Sequence, residues 1–128
     1  MNLYKIMLVD DEEEVRKSII NKIDWADAGF EVIGDAENGK DALEKIEQNE
    51  PDVVLTDIKM PYMDGLTMAE TIRQLYPSVK IVIFSGFDEF EYAKEAVHLE
   101  VEEYILKPVN LKEIQTTLDE KVRTACAG

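Results

Sequence analysis

Five short apolar runs separated by stretches of helical spacing constrain this chain more than any other feature. Ile6-Met7-Leu8-Val9, Val53-Val54-Leu55, Ile81-Val82-Ile83-Phe84 and Tyr104-Ile105-Leu106 are strand-sized, and Phe30–Ile33, interrupted by Glu31, is a weaker strand. Where apolar residues run on without alternating, a strand is expected to be buried on both faces. Between the runs, Val15, Ile19 and Ile23 mark one helical face, followed by Ala42, Leu43 and Ile46, then by Leu66, Ala69, Ile72 and Leu75. Tyr92, Ala93, Ala96 and Val97 form a fourth such set, and Leu111, Ile114, Leu118 and Val122 a fifth. Asn38-Gly39 opens the second helix, Pro51 follows it and Pro77 stops the third. Asp88 with Glu91, and Asn110 with Glu113, have capping-box spacing. Strands alternating with helices predict an α/β fold, a doubly wound five-stranded parallel sheet with five helices over its two faces. At 128 residues the chain makes one domain.

Composition narrows the function classes. Fourteen Lys and Arg against 28 Asp and Glu give a net charge of −14, which argues against the chain itself gripping nucleic acid or an anionic membrane. A hydrophobic share of 45% beside 33% charged residues supports a packed core rather than charge-driven disorder. No apolar run approaches the roughly 18 residues of a membrane span. The start, Met1-Asn2-Leu3-Tyr4-Lys5, lacks the pattern of a secretory leader, and the single cysteine, Cys126, suits a reducing compartment. The expectation is a cytoplasmic protein in which Cys126 is an incidental thiol.

In an open parallel sheet, ligands bind beyond the carboxyl ends of the strands, near the point where strand order reverses. The residues directly after the apolar runs are therefore the informative ones. Asp10, Asp11 and Glu12 follow the first run and Asp57 ends the third. Ser85-Gly86 ends the fourth, and Lys107-Pro108 the fifth. Each has a plain structural alternative: Asp11 with Glu14 could be a capping box, and Asp57 could simply begin a turn. Together they place carboxylates, a hydroxyl and an ammonium at one edge. Two unit charges ~6 Å apart at an effective dielectric near 20 repel by roughly 3 kcal/mol, so Asp10, Asp11 and Asp57 call for a cation or a shared proton. Oxygen ligands suit Mg²⁺ better than Zn²⁺. Beside such an ion Asp57 could act as nucleophile to give an aspartyl phosphate, with Lys107 and Ser85 stabilising the phosphoryl group.

Asp10-Asp11, Asp57 within Asp57-Ile58-Lys59-Met60-Pro61-Tyr62-Met63-Asp64-Gly65, Ser85-Gly86, Tyr104 and Lys107-Pro108 resemble the signature set of two-component response regulator receiver domains. The resemblance spans the whole chain in order and spacing and implies the flavodoxin-like receiver topology over residues 1–128. It implies that Asp57 accepts a phosphoryl group from a sensor histidine kinase. Asp11, Asp57 and the Lys59 backbone carbonyl would ligate Mg²⁺, with Asp10 acting largely through water. Ser85 takes the switch hydroxyl position and Tyr104 the aromatic switch position. The Lys107–Pro108 peptide would be cis. Residues from about Phe87 to Leu118 would form the output face, and homodimerisation on phosphorylation is left open. Trp25, the segment Gly29-Phe30-Glu31-Val32-Ile33-Gly34 and Phe84–Tyr92 are similar to the receiver subgroup joined to AraC-type DNA-binding domains. A DNA role would then belong to an output domain absent from this chain.

Rival readings fit less well. Gly34–Asp41 nearly matches phosphate-loop spacing, but Asp41 replaces the required Ser or Thr, and a strand end with an Asn-Gly helix entry explains it better. A flavodoxin-like electron carrier would need a phosphate loop where Asp10–Glu14 is acidic. A phosphohydrolase of the haloacid dehalogenase type, the serious enzymatic rival, wants an Asp at the position of Lys59. A calcium-binding loop pattern is missing. His98 has no nucleophile beside it in the pattern. The expectation is a signalling domain with at most slow self-phosphorylation and self-dephosphorylation, not a turnover enzyme.

Overall fold

An apolar run that must bury both its faces becomes an interior strand; three such runs build the middle of the sheet, and two less buried segments form its edges. A computed structural model describes residues 3–86, 99–106 and 110–127, with the backbone alone at Ser85 and Leu106. Strands β1 (Tyr4–Val9), β2 (Phe30–Ala36), β3 (Val53–Thr56), β4 (Lys80–Ser85) and β5 (Glu103–Leu106) pair in parallel in the order β2-β1-β3-β4-β5.

Successive strand side chains point to opposite faces, so each run feeds two cores. Ile6 and Leu8, Val53 and Leu55, and Val82 and Phe84 pack on one face with Ile19 and Ile23 of α1 (Glu13–Lys22) and Trp25 of α2 (Trp25–Ala28). Met7, Val9, Val54, Ile81 and Ile83 pack on the other with Ala42 and Ile46 of α3 (Gly39–Gln48) and Met68 and Ile72 of α4 (Gly65–Leu75). Burying an Ile or Leu side chain contributes about 1.5–3 kcal/mol, so the two clusters account for the sheet being covered on both sides.

The chain ends in a helical run made of α5 (Leu111–Thr117), a π turn (Leu118–Val122) and α6 (Arg123–Ala127). Ile114, Leu118 and Val122 are four apart and all buried. A four-residue step overshoots an α-helical turn of about 3.6 residues, and the wider π turn counters that drift and keeps the stripe on the sheet. Helical spacing alone did not anticipate the π turn.

The doubly wound parallel sheet is as expected, with three further local differences. The segment after α1 contains α2, capped by Asp24, whose side chain accepts from the Asp27 N–H at 3.1 Å. Gly29 ends it at φ 95°, in the left-handed region that favours glycine. β2 runs on to Ala36, three residues past the apolar run. The capping-box alternative for Asp11 is incorrect: Glu12 is the residue before α1 and makes no side-chain cap bond, while Asp10 takes the Glu12 N–H. Asn38 and Asn110 do cap their helices, accepting from Asp41 at 2.9 Å and Glu113 at 2.6 Å. The helix expected from Asp88 lies outside the described residues.

Candidate functional site

From β1 the chain crosses to β2 on one side, while β3 leads to β4 and β5 on the other, so strand order reverses between β1 and β3. Their carboxyl ends flank the crevice such a reversal creates. Val9 pairs with Thr56 in the ladder, and the Asp57 N–H donates to the Val9 carbonyl at 3.0 Å. Asp10 and Asp57 therefore follow neighbouring strand ends, which in any sheet run about 4.8 Å apart. Both are buried, with relative exposures of 1% and 5%.

The first turn gathers charge. Asp10 Oδ1 accepts the Glu12 N–H at 2.8 Å, and the Asp10 N–H donates to the Ala36 carbonyl at 3.1 Å. Arg16 donates through Nη1 to the Asp10 carbonyl at 2.6 Å and through Nε to Asp35 Oδ2 at 2.8 Å, tying together β1, β2 and α1. Oxygens of Asp10, Asp11 and Glu12 lie within 4.8 Å of one another. Asp11 and Glu12 are exposed, and Glu13 follows with its carboxyl held below the usual range by a hydrogen bond from Lys17 and by the lysine's charge. The N-terminus of α1 and the Arg16 guanidinium offset part of this repulsion.

The second turn holds one carboxylate firmly. Asp57 Oδ1 accepts the Ile58 N–H at 2.7 Å, and Thr56 Oγ1 donates to the Asp57 carbonyl at 2.8 Å. The Gly65 N–H donates to the Ile58 carbonyl at 2.8 Å, closing the loop onto its own start. Within the loop Tyr62 has φ 67° and is 90% exposed, and the Met63 carbonyl accepts the Gly39 N–H at 3.0 Å. Asp64 caps α4 by accepting from the Thr67 N–H at 2.8 Å.

Of the residues singled out from sequence, the fold brings Asp10, Asp11 and Asp57 to one end of the sheet. Lys59 is exposed in the loop just after Asp57. Ser85 is the last residue of β4, in register with Leu106, and Tyr104 pairs with Ile83 and packs half-buried against the core under α3 and α4. The Ser85 side chain, Lys107 and the Lys107–Pro108 peptide lie outside the described residues. Among those residues the close carboxylate trio contains Glu12 rather than Asp57. Oxygen donors of this kind fit a hard divalent cation. Sequence reasoning named Glu12 beside Asp10 and Asp11 but left it out of the charge cluster, quoted Gly65 in the signature segment without a role, and missed Arg16 and Thr56 as supports. A lone arginine on a helix and a threonine in an apolar strand carry no distinctive local signal.

Residues 6–119 match the family described as the response regulator receiver domain. The chain belongs to that family. This receiver domain is 45% identical over 118 residues to YesN of Bacillus subtilis (strain 168), described as an uncharacterized transcriptional regulatory protein, covering 92% of this chain and 32% of YesN. It thus spans about a third of the length of that curated relative. The REC domain of AraT, a response regulator from Geobacillus stearothermophilus, superposes with a TM-score of 0.84 at 38% identity, over 95% of this chain and 97% of that one. A two component transcriptional regulator AraC from Clostridium phytofermentans superposes with a TM-score of 0.87 at 33% identity, over 97% and 96% of the two chains. No helix among the described residues is long and apolar enough to cross a membrane.

Proposed function

We propose that Asp57 is the phospho-acceptor of this receiver domain and takes its phosphoryl group from a sensor histidine kinase. The observation that carries this reading is a buried carboxylate at the point where strand order reverses, one oxygen fixed by the Ile58 N–H, next to the acidic turn Asp10–Glu12. In the transfer a carboxylate oxygen of Asp57 bonds to phosphorus while the P–N bond to the kinase imidazole breaks. The electron pair leaves with the ring nitrogen, which then takes a proton.

Asp10, Asp11, Asp57 and the Lys59 carbonyl would hold Mg²⁺, which when bound supplies positive charge against the carboxylates and the phosphoryl oxygens. Lys107 would neutralise phosphoryl charge, and Ser85 would donate to it. Tyr104, two register positions before the last residue pair of β4 and β5, would follow Ser85 and change the surface beyond β4. YesN is a longer regulatory protein, so transcription control in the cytoplasm through a separate DNA-binding domain is part of the same proposal. The domain itself would act as a signalling switch with slow self-dephosphorylation rather than as a turnover enzyme.

Intact-mass analysis after incubation with acetyl phosphate, with and without Mg²⁺, tests the assignment. The expected result is one metal-dependent phosphate adduct on the wild type and none on Asp57→Asn. An adduct that persists in Asp57→Asn would overturn it, and rapid turnover of small phosphoesters would favour the phosphohydrolase class.

A further inference from the structure

We infer that Thr56 and Gly65 are positioning residues for phosphoryl transfer, acting together on the peptide unit between Asp57 and Ile58. The inference rests on Asp57 being the acceptor and adds how its carboxylate is aimed. That peptide unit carries both groups that matter. Its N–H, from Ile58, orients Asp57 Oδ1 at 2.7 Å, and its carbonyl, from Asp57, takes the Thr56 hydroxyl at 2.8 Å. Rotating the plane moves the carbonyl and the N–H together, so whatever fixes the carbonyl also fixes the direction of the carboxylate.

Two contacts fix it. Thr56 is fully buried, and its hydroxyl spends its proton on the Asp57 carbonyl. From the other side α4 begins so close that a Cβ on Gly65 would overlap the Asp57 carbonyl oxygen and come within 3.1 Å of both its carbonyl carbon and the Ile58 Cα. These are backbone atoms with no side chain to yield, and the Gly65 N–H already holds the Ile58 carbonyl at 2.8 Å. Gly65 is needed for space. Two other glycines differ: a Cβ at Gly39 would press chiefly on the flexible Met63 side chain, and one at Gly34 would meet nothing within 4 Å. Of these three, Gly65 alone crowds the acceptor's backbone.

A carboxylate turned away from the in-line approach loses rate at the bound donor rather than affinity for it. The test measures single-turnover phosphorylation by acetyl phosphate with saturating Mg²⁺ across a range of donor concentrations. It compares the wild type with Thr56→Val, Thr56→Ser, Gly65→Ala and Gly34→Ala, each checked for folding by thermal melt. Expected for Thr56→Val is a limiting rate down ~10-fold, with the half-saturating donor concentration and the Mg²⁺ dissociation constant within about twofold of wild type. Thr56→Ser, which keeps the hydroxyl, should recover most of the rate. Gly65→Ala should slow at least as much where it folds, and Gly34→Ala should not slow.

A Thr56→Val limiting rate within twofold of wild type would overturn the inference and leave the acceptor assignment standing. So would a loss shared equally by Thr56→Ser, or one that lies wholly in Mg²⁺ affinity. A wild type that takes no phosphate, or an Asp57→Asn that does, would overturn the acceptor assignment and this inference with it.

Discussion

The two turns at the carboxyl end of the sheet hold their aspartates in opposite ways. After β1 the chain enters α1 almost at once, and Asp10, Asp11 and Glu12 crowd three carboxylates together, two of them in solvent. After β3 it takes a longer path through Tyr62 and Met63, returns to lie against its own start, and buries a single carboxylate. The first turn concentrates charge and tolerates it by exposure and by Arg16. The second restricts one group in position and rotation. Crowded carboxylates give charge density, whereas a carboxylate held by the backbone has a set direction, and the two turns differ in these two properties.

The comparison breaks most readily at Arg16, which supports only the first turn. Arg16→Ala removes the hydrogen bond to the Asp10 carbonyl and the pairing with Asp35, and should cost about 2 kcal/mol in urea unfolding. It should leave the direction of Asp57 unchanged. Loss of Mg²⁺ is the next largest effect. At ten times its dissociation constant a ligand of the folded state adds about 1.4 kcal/mol, so chelation should lower the melting temperature of the wild type and barely shift that of Asp11→Asn.

Asn38→Ala tests the support of the second turn. It removes the cap of α3, whose first residue, Gly39, holds the Met63 carbonyl, and should cost about 1 kcal/mol in thermal unfolding. Cys126 is the control far from both turns. Burial pushes its thiol up to about 11, with Asp52, Lys80 and Glu102, all near the strand starts, as its charged surroundings. Because the folded thiol stays protonated above its ordinary value, alkylation should be slow at pH 8 and climb only toward pH 11. Mg²⁺ should not change that profile.

Much of this division was legible in the sequence where the signal is local. Continuous apolar runs gave the buried strands, and Asn38 and Asn110, each with an acidic residue three positions on, marked real helix starts. Asp10 and Asp57 were placed correctly because a parallel sheet puts all run ends on one edge. What failed depended on tertiary contact. Asp11 with Glu14 matched a cap pattern, yet the backbone there is organised by Asp10. Asp64 and Gly65 stood only as the end of the signature segment, whereas in the fold Asp64 caps α4 and Gly65 begins it. The need for glycine comes from Asp57, eight residues away. Trp25 looked like a family marker, and its short helix is held in place by the C-terminal run, where Gln115 reaches the Asp24 N–H and the Asp27 carboxylate.

The measurement that bears most directly on the two turns sharing one cation is the Mg²⁺ dissociation constant of Asp57→Asn set beside that of Glu12→Gln, by titration calorimetry. If the ion bridges the turns, Asp57→Asn should weaken binding ~10-fold or more while Glu12→Gln stays within about twofold of wild type, since removing a ligand carboxylate costs far more than removing a nearby exposed charge. The reverse pattern, a large loss in Glu12→Gln and none in Asp57→Asn, would confine the cation to the first turn and contradict a shared site.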